Sequence, residues 1–405
     1  MDFSRFGLDP RLLQGVRALG FTQPTPIQAA TIPAALKGQD VLGSAETGTG
    51  KTAAYLLPIM HRLLGEPTSP RGIRALILVP TRELALQVAE QADQLSAHTR
   101  LRVLAVFGGV PMGSQEQSLR QGVEIVVATP GRLLDHIARK NIAFGALQVL
   151  VLDEADRMLD VGFLPDLRRI VRLLPRERQT MLFSATLVPS ILSLAAEVTR
   201  NAARIQKETA PAPEAIAQTL FPVPEHLKAD LLQRLLREEE MDSVLVFART
   251  KHRADRVVKQ LQRAHIRADV IHGDRSQSQR IAALEAFRRG KARVLVATDI
   301  AARGIDVEGI SHVVNYDVPM QPEDYVHRIG RTGRAQAAGK AYTLVTPADE
   351  TMMRRIEIVL KQKIERRRLE GIDYSTPMFA KPDAEAVRRY VEANRCARRK
   401  SLALS

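Results

Sequence analysis

The stretch of this 405-residue chain with the most chemical potential is Ala45–Thr52, AETGTGKT. Thr47, Gly48, Thr49 and Gly50 lead into Lys51 and Thr52, and the loop sits between the apolar run Val41, Leu42 and the helical pattern TAAYLLPIMHRLL. A glycine-rich turn between a strand and a helix can close its backbone amides around phosphate oxygens. Lys51 would reach the β and γ phosphates, and the Thr52 hydroxyl could ligate Mg²⁺. Ala45 stands where the general pattern has glycine. Such a loop needs a carboxylate at the end of a neighbouring strand, and LQVLVLDEAD, Leu147–Asp156, supplies one. Val149–Leu152 reads as a strand carrying Asp153 and Glu154 at its C-terminal end, where ligands bind in open α/β sheets. Asp153 is expected to hold Mg²⁺ through water, and Glu154 to orient or deprotonate an attacking water. Read alone, the first segment is a Gly-rich turn and the second two acids opening a helix; together they point to nucleoside triphosphate hydrolysis.

A second group lies far along the chain. YVHRIGRTGR, Tyr325–Arg334, carries His327, Arg328, Arg331 and Arg334 within one or two helical turns. Arginines three residues apart share a helix face, so one surface can present two guanidinium groups to a phosphate. Standing alone, this segment reads more simply as a solvated basic face. ATDIAARGIDV, Ala297–Val307, follows the apolar run Val294–Ala297.

Positioning these groups requires two sheets. Apolar, β-rich runs at Ala75–Val79, Leu101–Phe107, Ile125–Ala128, Val149–Leu152 and Thr180–Phe183 alternate with helical patterns. That order predicts an α/β fold with a parallel sheet flanked by helices. A second series at Ser243–Phe247, Ala268–Ile271, Val294–Ala297, His312–Asn315 and Ala341–Val345 repeats the architecture, with a helix expected over Lys251–Ala264. Between them KETAPAPEAIAQ, Lys207–Gln218, is discouraged from regular structure by Pro211 and Pro213 and reads as a linker. Helical patterning continues beyond residue 349 to about Leu369, and Pro377 and Pro382 break the tail that follows.

Net charge is +14, and residues 361–405 hold 12 Lys/Arg against 6 Asp/Glu. A polyanionic partner is favoured on that ground, although a basic protein kept soluble by its charge fits composition equally well. The single cysteine, Cys396, cannot form an intrachain disulfide. No apolar run of about 18 residues is present to cross a bilayer, and the N-terminus lacks the pattern of a secretory signal. A cytoplasmic location without membrane attachment is expected.

Asp153, Glu154, Ala155 and Asp156 spell DEAD, and the chain from Phe3 to about Val345 resembles the core of the DEAD-box helicases with their motifs in order. GFTQPTPIQ, Gly20–Gln28, with Phe3 upstream, is similar to the family's Q motif. The resemblance implies that Gln28 reads the adenine edge, with Phe21 and Phe3 beside it, so that ATP is the nucleotide. Glu46 replaces the glutamine usual in the family's phosphate loop. Ser184–Thr186, SAT, resembles the motif that, with Asp156, His327 and Arg328, couples hydrolysis to strand separation. Arg331 and Arg334 correspond to arginine fingers, and Gly304 and Asp306 to nucleotide contacts. RNA contacts are implied at Pro80, Thr81, Arg82, Gly108, Gly109, Thr129, Pro130, Gly131 and Arg132. In the second half they are implied at Arg249, Thr250, Gly273, Gln277, Arg280 and Thr298. Such groups grip phosphates and sugars without reading bases; taken singly, Thr81 and Thr129 are better explained as helix caps.

The implied layout is two tandem RecA-like domains, residues 1–206 and 219–366, a linker at 207–218 and a basic extension at 367–405. Its implied activity is ATP-driven, Mg²⁺-dependent remodelling of RNA by a monomer, with ribosomal or RNA-decay proteins as partners. The short N-terminal lead suggests a bacterial RhlE-like branch. A DNA helicase, a GTP switch and a passive RNA chaperone are the rival readings; no NKxD-type guanine-reading motif is found.

Overall fold

A computed structural model describes residues 2–45, 49–65, 72–206, 216–238, 240–302, 309–333 and 339–374. Thr47, Gly48, Gly304, Asp306 and Arg334, most of the linker and the tail from residue 375 lie outside the described residues.

The first sheet contains β1 (Val41–Ser44), β2 (Ala75–Leu78), β3 (Val103–Val106), β4 (Ile125–Ala128), β5 (Val149–Leu152), β6 (Gln179–Ser184) and β7 (Ala203–Gln206). The second contains β8 (Ile216–Pro222), β9 (Val244–Phe247), β10 (Ala268–Ile271), β11 (Val294–Ala297), β12 (His312–Asn315), β13 (Gly339–Val345) and β14 (Glu365–Arg366). Their orders are β3-β4-β2-β5-β6-β1-β7 and β10-β11-β9-β12-β13-β8-β14. Every pairing is parallel. Sheets of this kind are covered on both faces, which is why the central strands ALIL, IVVA and VLVL are apolar throughout. Alternate residues feed opposite cores: Ile77, Val127 and Val151 face one, and Leu78, Val126 and Leu152 the other. The second sheet divides likewise, with Val244, Val246 and Val296 on one side and Leu245, Phe247 and Leu295 on the other.

Strand order separates the motifs. Pro80–Arg82, Gly108–Gly109 and Thr129–Arg132 follow β2, β3 and β4, one contiguous half of the first sheet. The phosphate loop, Asp153–Asp156 and Ser184–Thr186 follow or end β1, β5 and β6, the adjoining strands. Arg249–Thr250, Gly273 and Thr298 likewise follow β9, β10 and β11, the matching half of the second sheet. The first domain thus places its two groups of expected contacts side by side, and the second places its expected RNA contacts on the matching strands.

Three expected boundaries differ in the structure. Residues 216–218, assigned to the linker, open β8, where pairing with β13 supplies the backbone hydrogen bonds that a flexible segment would leave to water. The helix expected to run to Leu369 is Glu350–Leu360. It stops at Lys361, whose φ of 54° is left-handed, and Glu365–Arg366 then pairs with β8 as an edge strand. Leu369, Ile372 and Tyr374 pack on the second domain's core, so the start of the extension at 367 belongs to that domain.

Candidate active site

The helix Lys51–Gly65 follows β1 in the chain and opens on Lys51, which is buried. Gly50 has φ of +90°, and a Cβ there would lie 2.5 Å from Gln28 Nε2, so both its conformation and its neighbour require glycine. Gln28 sits in the first turn of the helix Pro26–Leu36. Its Oε1 accepts from the Thr25 amide at 2.9 Å, closing a capping box, while Nε2 donates to the Gly50 carbonyl at 3.1 Å. The residue expected to read adenine is therefore tied to the phosphate loop. Phe21 is half-buried, and its ring stacks on Phe3 with centroids 6.5 Å apart. Phe3 is only 1% exposed, which corrects its assignment as a nucleotide contact: it supports Phe21 from behind.

Asp153 is buried at the end of β5. Its Oδ1 accepts from the Glu154 amide at 2.9 Å, and Oδ2 accepts from the Tyr55 hydroxyl at 2.9 Å. Burial pushes its pKa up, Lys51 opposes that shift, and Glu154 adds to it. Tyr55, fully buried and unnoticed in the sequence, has its own pKa pushed well up by burial and by Asp153. Glu154 adopts φ 51°, ψ 50° at the head of the helix Ala155–Asp160. A left-handed glutamate costs on the order of 1–3 kcal/mol and such strain gathers at functional sites. Its Oε2 accepts from Arg157 Nη1 at 3.0 Å, whereas Oε1 is buried without a hydrogen-bond partner among the described residues. Lys51 Nζ is in the same position. Buried groups left this way are costly; a phosphate oxygen and a polarised water would satisfy them. Thr52 and Asp153 also suit Mg²⁺, which is commonly held by one or two protein ligands together with substrate phosphates.

Asp156 binds across to the segment after β6. Its Oδ2 accepts from the amides of Ala185 and Thr186, each at 3.0 Å, and from Thr186 Oγ1 at 3.2 Å. Ser184 Oγ donates to the Thr186 carbonyl at 2.7 Å. The three expected coupling residues of the first domain thus form one hydrogen-bonded unit.

The second domain approaches this unit directly. A cavity between the domains is lined by Arg157 from the first and by Phe247, Asp299, Asp324, His327, Arg328 and Arg331 from the second. Burial lowers the His327 pKa; Arg157 and Arg331 add to that shift, while Asp156 and Asp324 oppose it. Arg328 differs from its expected coupling role. It chelates Asp299 through Nε and Nη2 at 2.6 and 2.7 Å, donates Nη1 to Asn315 and to the Asp317 carbonyl, and lies over the Phe247 ring. Its donors are spent within its own domain, so it positions the helix Pro322–Ile329 and with it His327; Arg331 follows the end of that helix and is not on the helix face expected for it.

On the other edge, Thr81 and Thr250 are helix N-caps whose hydroxyls accept from Leu84 and Arg253. Thr129 occupies the N-cap of the helix Pro130–Ala138 without a side-chain cap bond. The guanidinium groups of Arg82 and Arg132 converge on Gly108, and a Cβ on Gly109 would collide with Arg82. Arg249 Nη2 reaches Asp349 at 3.4 Å, and Gly273 is open to solvent. Gln277 and Arg280 depart from the expected RNA role. Gln277 Nε2 donates to Glu83 Oε1 at 3.1 Å, and Arg280 Nη2 lies 2.8 Å from Glu83 Oε2. All three are buried, and together they clasp the two domains. Glu83 directly follows Pro80–Arg82 but was not singled out, because a carboxylate in a helix's first turn ordinarily serves only the helix dipole.

A family described as DEAD/DEAH box helicase matches residues 25–194, and one described as helicase conserved C-terminal domain matches residues 227–336. The chain is 42% identical over 395 residues to the DEAD-box ATP-dependent RNA helicase CshA of Bacillus licheniformis, covering 97% of this chain and 80% of that protein. It is 44% identical over 364 residues to ATP-dependent RNA helicase CshA of Listeria monocytogenes, covering 90% and 69%. Neither carries the RhlE name. Among solved structures, S. cerevisiae Dbp5 bound to RNA and ADP BeF3 superposes with a TM-score of 0.82 at 31% identity, covering 91% of this chain and 95% of that one. Among the described residues no helix is long and apolar enough to cross a membrane.

Proposed function

Since the chain belongs to the DEAD-box helicase family, we propose that it is an RNA-dependent ATPase that separates short RNA duplexes by closing its two domains around ATP and RNA. The observation that carries this reading is the shared cavity: Arg331 and His327 of one domain meet Arg157 of the other beside the Asp156–Thr186 unit. The same closed arrangement is clasped by Glu83, Gln277 and Arg280 beside the other functional edge.

In the first domain Lys51 binds the β and γ phosphates, and Thr52 and Asp153 hold Mg²⁺, which neutralises phosphate charge when bound. The strained turn at Glu154 aims a carboxylate whose free oxygen orients water and takes up its proton. Negative charge developing on the transferred phosphoryl group is met by Arg331, joined by Arg334, only when the second domain is in place. On the RNA edge, the loops after β2–β4 and β9–β11 grip one strand by its backbone. If closure bends that strand so that four or five base steps unstack, the local cost is about 6–7 kcal/mol, from ~1.4 kcal/mol per step by analogy with DNA. A short duplex then separates without translocation. Substrate RNA, sequence-independent binding and a monomeric state belong to this reading, as do ribosomal or RNA-decay partners.

ATPase assays in the presence of RNA and of DNA of one sequence test it: stimulation by RNA alone is expected, and equal stimulation by DNA would favour a DNA translocase.

A further inference from the structure

The helix Lys251–Arg263 starts at Thr250, on the proposed RNA edge, and leads away from it down the flank of the second domain. Ala254, Val257, Val258 and Leu261 are buried beneath it. His252, Arg256, Lys259 and Arg263 are exposed, in alternating steps of four and three residues that keep them on one face. They line a shallow groove with Asp255 and Gln260. Its one carboxylate is already engaged, since Asp255 accepts from Arg275 at 2.7 Å and pairs with His272 at 3.1 Å. The remaining cations at the head of the helix are also answered: Lys251 by Asp274, and Arg253 by Glu225 and Asp317.

Arg256, Lys259 and Arg263 differ. None forms a salt bridge with another described residue, and neighbours at this spacing repel one another. In this domain Arg275, Arg280, Arg328 and Arg366 are each given a carboxylate. One helix face is left with spare positive charge, and the helix that carries it is capped by Thr250, next to Arg249.

We propose that this face binds the flank of the same RNA strand beyond the nucleotides held by the core loops. From His252 to Arg263 the helix rises about 16 Å, which spans roughly five nucleotides at 3.4 Å each. Three cations along that distance can neutralise about three phosphates without reading sequence. Together with the N-cap end of the helix they form a ramp leading the strand to the core. This inference rests on the RNA-binding reading above and extends the footprint of that site.

The test replaces all three cations, Arg256→Gln, Lys259→Gln and Arg263→Gln, in the full chain. Affinity is measured by fluorescence anisotropy on a single-stranded RNA of about 6 nucleotides, which fills the core alone, and on one of about 16, at several salt concentrations. The expected result is affinity for the longer RNA about tenfold weaker, with its salt dependence flattened by about two units of slope. Affinity for the short RNA and the ATPase rate it stimulates stay at wild-type values. Unchanged affinity for the longer RNA overturns the inference while leaving the helicase reading intact, and so does equal weakening for both lengths. Loss of polyglutamate binding with RNA binding unchanged also overturns it, in favour of an acidic protein partner. Wild-type protein that binds neither RNA would instead defeat the reading on which the inference rests.

Discussion

Replacing Glu83 by alanine should open the molecule without unfolding it. Glu83 is 3% exposed and belongs to the first domain; its carboxylate holds Arg280 at 2.8 Å and Gln277 at 3.1 Å in the second. Burial lowers the Arg280 pKa, and Glu83 is the principal group opposing that shift. Truncating one member of a buried ion pair leaves the other charge desolvated, at a cost of about 3–5 kcal/mol. Here the pair spans two domains, so that cost falls on closure and spares each domain's own core. At 1.4 kcal/mol per tenfold, the closure constant should drop by roughly 150- to 4000-fold. A dye on each domain, read by energy transfer with a non-hydrolysable ATP analogue and RNA present, reports this directly. Adding Arg280→Ala to Glu83→Ala should cost much less than either change alone, because the two share one interaction. A Glu83→Ala protein that closes like wild type, with the label pair responding normally, would refute the clasp.

Removing the Tyr55 hydroxyl as Tyr55→Phe deletes a hydrogen bond to a carboxylate, worth about 1.5–3 kcal/mol. The expected outcome is roughly tenfold or greater loss in kcat and a higher Mg²⁺ requirement for nucleotide binding, measured by titrating the cation against a fluorescent ATP analogue. Glu154→Gln and Arg331→Ala should each lose at least 100-fold in RNA-stimulated ATPase and lose unwinding, while retaining RNA binding in anisotropy assays; retained unwinding would instead indicate a passive chaperone. His327 should make closure sensitive to pH. Its pKa in the closed form is lowered from 6.5, by burial first and then by Arg157 and Arg331 against Asp156 and Asp324. The open form therefore binds the proton more tightly, and closure is fully favoured above about pH 6.5 and weakens as pH falls below it. Energy transfer should decline as pH falls below about 6.5, and His327→Asn should remove part of that decline.

Much of this architecture was legible because both sheets are parallel and buried. Strands β4, β5 and β11 are unbroken apolar runs, and their residues, like those of β10 and β12, are those the sequence marked. Two edge strands escaped notice: β7 alternates half-buried with exposed positions, and β14 is two exposed charged residues held by backbone pairing to β8. Local composition carries no mark of such pairing. The site shows the same division. Lys51, Asp153, Glu154 and Asp156 were recognisable from type and spacing, whereas Tyr55 and Glu83 act through partners 98 and 194 positions away in the chain. Arg280 was misplaced for a related reason. The family resemblance that implied an RNA contact there says nothing of the carboxylate buried against it.

Each domain has cores of its own, those of the first drawing only on residues 3–205, so residues 1–206 can be prepared alone. Single-turnover ATP hydrolysis by that fragment and by the intact chain, both saturated with nucleotide and RNA, is the most direct trial of hydrolysis shared between domains. Nucleotide binding should survive in the fragment, with the chemical step slowed about 1000-fold or more for want of the second domain's arginines. Equal rates would mean that the first domain completes the reaction unaided.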